Sequence, residues 1–136
     1  MKYYAVIDTN VLVSSQLKSG SIPWQIIELI FTDTIVPILN QDILDEYEEV
    51  LNRNKFGLSE QANSAVLEEI KNRSIFLERE QTLEDFIDED DIVFYEIVMS
   101  ARNTMDAYLI TGNLKHYPIR NYVVTPRQML EIIGKE

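Results

Sequence analysis

The strongest constraint on the fold is an uncharged run of apolar and β-favouring residues near the start of the chain, Tyr3–Ile7. Such a run predicts a strand buried on both faces, as in a parallel sheet covered by helices. It ends in Asp8, Thr9 and Asn10, and a new apolar run begins at Val11. Ligands bind beyond the carboxyl ends of parallel strands, so Asp8 is well placed for chemistry. The simpler alternative is that Asp8 or Asn10 only caps the next helix.

Predicted strands alternate with predicted helices along the chain. Apolar runs predict strands at residues 3–7, 34–39, 75–77, 107–110 and 122–124. Helical spacing recurs between them, most clearly over residues 41–52 and 59–73. The second of these predicts an inward face of Ala62, Ala65, Val66, Leu67 and Ile70. The alternation predicts an α/β fold with a mostly parallel sheet, and 136 residues predict a single domain spanning 1–136.

Composition narrows the possible chemistry. The chain has no cysteine and one histidine, His116. Thiolate nucleophiles, cysteine-based metal sites and multi-histidine metal sites are therefore excluded. No apolar stretch is long enough to span a membrane and no basic, then apolar leader precedes the first strand, so we expect a cytoplasmic protein.

Charge is abundant and unevenly distributed. The net charge is −11, which argues against a nucleic-acid partner and suggests a basic protein partner. Residues 78–91 contain eight acids and one base, whereas residues 113–127 contain three bases, His116 and no acid. A locally basic edge is therefore expected on an acidic protein.

Polar groups follow several of the predicted strands. Asp8 follows the first, Thr111-Gly112-Asn113 follow the strand at 107–110, and Asp91 begins a helix. Glu46 lies within two helical turns of the same sheet edge. Two carboxylates about 4 Å apart repel by roughly 1 kcal/mol in water and about 4 kcal/mol at an effective dielectric near 20. A cluster of three therefore favours a bound cation, and oxygen ligands suit Mg²⁺ or Mn²⁺.

These residues resemble the signature blocks of the PIN-domain family, and of its VapC-like bacterial toxins in particular. The resemblance rests on residues 7–12 (IDTNVL), 45–51 (DEYEEVL), 88–94 (DEDDIVF) and 108–116 (YLITGNLKH). It spans nearly the whole chain, from Val6 to about Thr125. It implies a three-layer α/β/α PIN-like fold and a Mg²⁺- or Mn²⁺-dependent ribonuclease acting on RNA, the toxin of a toxin–antitoxin pair. It further implies a small antitoxin, for which the acidic surface suggests a basic segment, and a possible homodimer.

The resemblance also implies roles for individual residues. Asp8, Glu46 and Asp91 match the acidic metal ligands, with Asp90 as the less favoured alternative to Asp91. Asn113 stands where many members have a fourth aspartate, which places a second metal in doubt. The positions that match residues orienting the acids or a bound water are Thr9, Asn10 and Thr111.

Other interpretations remain open. Lys115, His116 and Arg120 are candidates for contacting substrate phosphate, and a generic loop is the alternative. Asp8-Thr9-Asn10 partly matches the nucleophile motif of haloacid-dehalogenase-like phosphatases, but Asn10 replaces the general acid. A PIN-fold binding or regulatory module, inactive because of Asn113, is the non-enzymatic alternative.

Overall fold

The framework of the protein is a five-stranded parallel sheet with the strand order β3-β2-β1-β4-β5. The structure is a computed structural model and describes residues 1–134. The strands are β1 (Tyr3–Ile7), β2 (Ile35–Leu39), β3 (Ile75–Phe76), β4 (Ala107–Ile110) and β5 (Val123–Val124). The helices are α1 (Thr9–Leu17), α2 (Ile22–Phe31), α3 (Gln41–Leu51), α4 (Glu60–Arg73), α5 (Ile92–Arg102) and α6 (Pro126–Gly134).

The central strand is β1, which pairs with β2 on one side and β4 on the other. Its residues Ala5, Val6 and Ile7 are buried, as expected for a strand covered on both faces. Helix α5 packs against β1, β2 and β4, while α2 and α4 pack against β2. The prediction of a three-layer α/β/α fold with a mostly parallel sheet is confirmed, and every strand pair described is parallel.

The helices are short. The longest, α4, has 14 residues, whereas a helix needs about 20 apolar residues to span a bilayer. No helix within residues 1–134 is both long and apolar enough to cross a membrane.

The predicted inward face of α4 is wrong at two positions. Ala62 and Ala65 are exposed, whereas Asn63 is 2% exposed. The Asn63 side-chain amide donates to the carbonyl oxygen of Leu51 over 3.0 Å. It thereby satisfies a carbonyl at the end of α3 that has no partner within its own helix. A buried asparagine serves α3 here, and apolar periodicity cannot reveal such a role.

Pro37 lies inside β2, a strand that has neighbours on both sides, although proline lacks the N–H that such a position usually needs. The strand next to β2 on its outer side, β3, has two residues and pairs only with Ile38 and Leu39. At Pro37 the strand β2 therefore has a neighbour on one side only, where a missing N–H is tolerated.

Candidate active site

The candidate site lies where the strand order reverses. From β1 the chain adds β2 and β3 on one side, and then returns to add β4 and β5 on the other. Asp8 and Thr111 directly follow the two adjacent strands β1 and β4, and the Asp8 N–H donates to the Ile110 carbonyl oxygen over 2.9 Å. Such a switch point is where open parallel sheets bind ligands. The topology therefore brings the polar ends of β1 and β4 together.

The Asp8 carboxylate is held from one side. Its Oδ2 accepts hydrogen bonds from the Thr111 hydroxyl at 2.7 Å, the Tyr117 hydroxyl at 3.0 Å and the Asn10 amide at 3.2 Å. Asp8 is the N-cap residue of α1, as the simpler interpretation held, but its side chain makes no capping hydrogen bond, so capping alone does not account for the contacts of its carboxylate. Within residues 1–134 no side chain donates to Oδ1. Burial raises the pKa of Asp8, while the Thr111 and Tyr117 donors oppose that rise.

Helix α3 presents Glu46 to the same region. The Asn40 side chain caps α3 by accepting from the Ile43 N–H over 2.9 Å. Five acids lie on this helix, and Glu46 is the one that is not exposed. The Thr9 hydroxyl donates to Glu46 Oε2. Burial raises the pKa of Glu46, and the negative charge of Asp8 adds to the rise.

Asp91 stands at the start of α5. Its Oδ2 lies 2.9 Å from His116 Nδ1, which donates to the ionised carboxylate, and its Oδ1 lies 3.5 Å from the Tyr117 hydroxyl. Burial, followed by the nearby charge of Asp8, raises the pKa of Asp91 to about 6. The neighbouring Asp90 is exposed, so the geometry favours Asp91 as the member of the site.

The remaining predicted site residues follow β4. The Asn113 N–H donates to the Thr111 hydroxyl over 3.0 Å, so the main chain of Asn113 lies beside Thr111, and the residue is half-buried. Lys115 is exposed. Arg120 instead forms an ion pair with Glu84 at 2.5 Å, which occupies the guanidinium that was a candidate for phosphate.

The supporting residues Thr9, Asn10 and Thr111 each hydrogen-bond one of the candidate carboxylates. Thr9 donates to Glu46, and Asn10 and Thr111 donate to Asp8. Asn10 also accepts from the Gly112 N–H over 3.0 Å. A Cβ at Gly112 would lie 3.2 Å from the Asn10 Oδ1 atom, so this close contact favours glycine.

A family model of the PIN domain matches residues 4–115 of the chain. The chain belongs to the PIN-domain family. Proteins with a PIN domain are generally nucleases and generally use divalent metal ions. Searches of the curated proteins and of the solved structures found no significant match. The PIN-domain match covers all three candidate carboxylates, and it leaves the phosphatase interpretation without support.

The carboxylates of this PIN domain are suitable ligands for Mg²⁺ or Mn²⁺. In this structure they do not lie close enough together to form a metal site. Among residues 1–134, no three acidic or histidine side chains form a group close enough to hold a metal ion as they stand. Within residues 1–134, Asp8 and Glu46 nevertheless receive their side-chain donors on one oxygen each, and the main chain of Thr9 and Asn10 also hydrogen-bonds the Asp8 carboxylate. Burial is the largest cause of the raised pKa values of Asp8, Glu46 and Asp91, and a bound cation would offset the cost of keeping these buried groups charged. The donor set therefore fits a hard cation, which these side chains would close around.

Tyr117 is a member of the site that the sequence did not predict. It is 5% exposed, and its hydroxyl lies between Asp8 and Asp91. Burial, followed by the charges of Asp8 and Asp91, raises the pKa of Tyr117 far above its usual value, so the hydroxyl keeps its proton. The only signal was its position directly after His116, in a loop whose path the sequence does not fix.

Proposed function

We propose that this PIN domain is a metal-dependent endoribonuclease that hydrolyses RNA phosphodiester bonds. The observation that supports it most is the convergence of Asp8, Glu46 and Asp91 at the switch point of the sheet. Burial raises the pKa values of all three groups, and the charge of Asp8 adds to the rise at Glu46 and Asp91. Carboxylates whose only role is to face solvent on the protein surface would not be buried and oriented by neighbouring side chains in this way.

The proposed division of labour follows the geometry. Asp8, Glu46 and Asp91 would hold Mg²⁺ or Mn²⁺, and the ion, when bound, supplies Lewis-acid polarisation of a phosphoryl oxygen and activation of the attacking water. Thr111 and Asn10 orient Asp8, and Thr9 orients Glu46, so the carboxylates present fixed oxygens. Asn113, whose main chain contacts Thr111, would assist as a neutral oxygen donor.

Substrate binding is proposed for the loop between β4 and β5. Within residues 1–134, Lys115 of this loop forms no ion pair with an acid, and neither does Arg127 in the first turn of α6, so both charges are available to phosphate. His116 hydrogen-bonds Asp91 and so lies at the edge of the site. Arg120 would contact RNA only if its ion pair with Glu84 opened. So few unpaired basic side chains near the site, on a protein of net charge −11, favour a short contact with the RNA backbone.

The test is cleavage of labelled single-stranded and hairpin RNAs in Mn²⁺, in Mg²⁺ and in EDTA, with Asp8→Asn in parallel. We expect metal-dependent cutting that the variant loses. Cutting that survives in EDTA, or in the variant, would identify a contaminant. Absence of cutting under every condition would leave the binding-module alternative, which rests on Asn113 in place of a fourth aspartate.

A cytoplasmic toxin paired with a small antitoxin is the proposed biological setting. Its physical support is the groove between α3 and α4, which is lined by Asp45, Glu48 and Glu68, with one base, Lys71. This acidic lining complements a basic segment of a partner. The experiment is co-purification with a small protein encoded beside the chain, using Asp45→Asn with Glu48→Gln as the weakened variant. Failure of the partner to co-purify with the unaltered protein would contradict the pairing.

A homodimer and a single domain over residues 1–136 complete the proposal. Light scattering during size-exclusion chromatography measures the first, and the unfolding of the full chain in one cooperative transition measures the second. A monomeric mass would exclude the dimer, and two separate transitions would exclude the single domain.

A further inference from the structure

A tyrosine hydroxyl stands between two carboxylates of the site. The Tyr117 oxygen lies 3.0 Å from Asp8 Oδ2 and 3.5 Å from Asp91 Oδ1. The two carboxylate oxygens are therefore no farther apart than the sum of these distances. A hydroxyl has one proton, so it donates to one carboxylate at a time, and the shorter distance favours Asp8.

The tyrosine ring is fixed by its surroundings. Tyr117 is 5% exposed, and the ring of Phe86 packs edge-on against it with the ring centroids 6.1 Å apart. Directly before it, His116 binds Asp91 at 2.9 Å. The residues of one short turn, Leu114–His116 and the following Tyr117, thus hold both carboxylates, although β1 and α5 supply them.

The hydrogen bonds to Asp8 and Asp91 leave particular carboxylate oxygens without a strong side-chain donor. Thr111, Tyr117 and Asn10 all donate to the same Asp8 oxygen, Oδ2. In the described chain, Asp8 Oδ1 receives no side-chain donor, and Asp91 Oδ1 has only the long contact with Tyr117. A residue that hydrogen-bonds a ligating carboxylate sets the orientation and the basicity of that carboxylate.

We infer that Tyr117 is a positioning residue that holds Asp8 and Asp91 at the spacing from which their remaining oxygens accept a divalent cation. This inference rests on the proposed function, because it assumes that the carboxylates bind a metal ion. Tyr117 would act through the carboxylates and not as a ligand itself. Its hydroxyl would remain on Asp8 Oδ2, and its ring, packed on Phe86, would limit how far Asp8 and Asp91 separate.

Tyr95 provides a matched control for the test. Its hydroxyl is likewise 2.7 Å from a carboxylate, that of Glu84, and its ring also packs edge-on against Phe86. It differs in its partners, because among the described residues its hydroxyl contacts Glu84 and Tyr122 and neither Asp8 nor Asp91. Tyr95→Phe therefore removes the same chemical group from the same aromatic cluster without touching the proposed ligands.

The experiment measures Mn²⁺ affinity by calorimetry, and by the paramagnetic resonance of free Mn²⁺, on the full chain without RNA. We expect Tyr117→Phe to weaken Mn²⁺ binding by about tenfold, which is the low end for loss of an outer partner of a ligand. Tyr95→Phe should bind Mn²⁺ as the unaltered protein does. Circular dichroism confirms that each variant is folded before its affinity is measured.

The outcomes separate this inference from the proposed function. If the unaltered protein binds no Mn²⁺, both are overturned. If it binds Mn²⁺ and Tyr117→Phe binds equally or more tightly, Tyr117 does not position the ligands and only this inference fails. Equal weakening in Tyr95→Phe would overturn it too. Should Tyr117→Phe not fold, Phe86→Leu keeps the hydroxyl but loosens the ring, and unchanged affinity in that variant overturns the inference.

Discussion

The hydroxyl of Tyr47 donates to the main-chain carbonyl of Ile7 over 2.5 Å, and this contact ties α3 to the end of β1. Ile7 precedes Asp8 and Tyr47 follows Glu46, so the bond fixes the spacing of two candidate ligands that lie far apart in sequence. Burial raises the pKa of Tyr47 well above its usual value, which keeps the proton available for this bond.

Removing that bond tests whether the spacing matters. We expect Tyr47→Phe to lower the free energy of unfolding by about 1–3 kcal/mol, because the buried Ile7 carbonyl loses its hydroxyl donor. We also expect weaker Mn²⁺ binding, since α3 is less firmly held near Asp8. Denaturant unfolding and Mn²⁺ titration measure the two effects. Tyr108→Phe, on β4, is the control, and an effect of equal size there would contradict a specific role for the Tyr47 contact.

Asp8→Asn separates the contribution of Asp8 to activity from its contribution to stability. The buried charge is unfavourable in the metal-free protein, because burial raises its pKa. Asparagine keeps an oxygen for the Thr111 and Tyr117 donors and removes the repulsion with Asp91. We expect RNA cleavage to be lost and the metal-free melting temperature to stay unchanged or rise, by no more than about 4 °C. Severe unfolding of the variant would count against the site.

Glu46 and Glu48 offer a comparison within one helix. Glu46 is partly buried and faces the other carboxylates, whereas Glu48 is exposed. Saturating Mn²⁺ at 100 times its dissociation constant stabilises a protein by about 2.7 kcal/mol. We expect Glu46→Gln to lose most of the Mn²⁺-induced rise in melting temperature and Glu48→Gln to keep it. Equal losses would mean that general surface charge, and not a site, binds the ion.

The raised pKa values predict how the stability of the metal-free protein depends on pH. Asp91 has a pKa of about 6 when folded, against an ordinary value of 3.8, and the pKa values of Asp8 and Glu46 are raised too. Between the two Asp91 values the folded protein binds more protons than the unfolded chain does. The contribution of Asp91 to the stability of the folded protein is therefore fully present below about pH 4, and it is lost as the pH rises through about 6.

Thermal melting in EDTA from pH 4 to pH 7.5 measures this dependence. Comparison with Asp91→Asn isolates the contribution of Asp91 from the repulsion of the whole acidic surface. We expect a shallower fall of melting temperature in that variant, and addition of Mn²⁺ at pH 7.5 should restore stability to the unaltered protein. Parallel pH profiles in the two proteins would show that Asp91 is not perturbed.

Local sequence patterns predicted the strands well because each one is an uninterrupted apolar run. The boundaries were less accurate: α1 begins at Thr9, two residues earlier than its apolar residues indicate, and β5 is only Val123–Val124. Burial of α4 was misjudged at Ala62 and Ala65, since alanine gives a weak apolar signal and a buried asparagine gives none. Spacing alone could not place Glu46 inside the site among the acids of α3.

The sequence by itself determined the parallel α/β framework and the polar residues that follow β1 and β4, because apolar periodicity and strand ends are local properties. Only the tertiary structure decided which oxygens face one another. Asp8 meets Thr111 and Tyr117 across more than 100 residues, through the pairing of β1 with β4 and the path of the loop after β4. The same folding paired Arg120 with Glu84 and directed Glu46 inward. Such contacts depend on packing between distant segments, which no local pattern encodes.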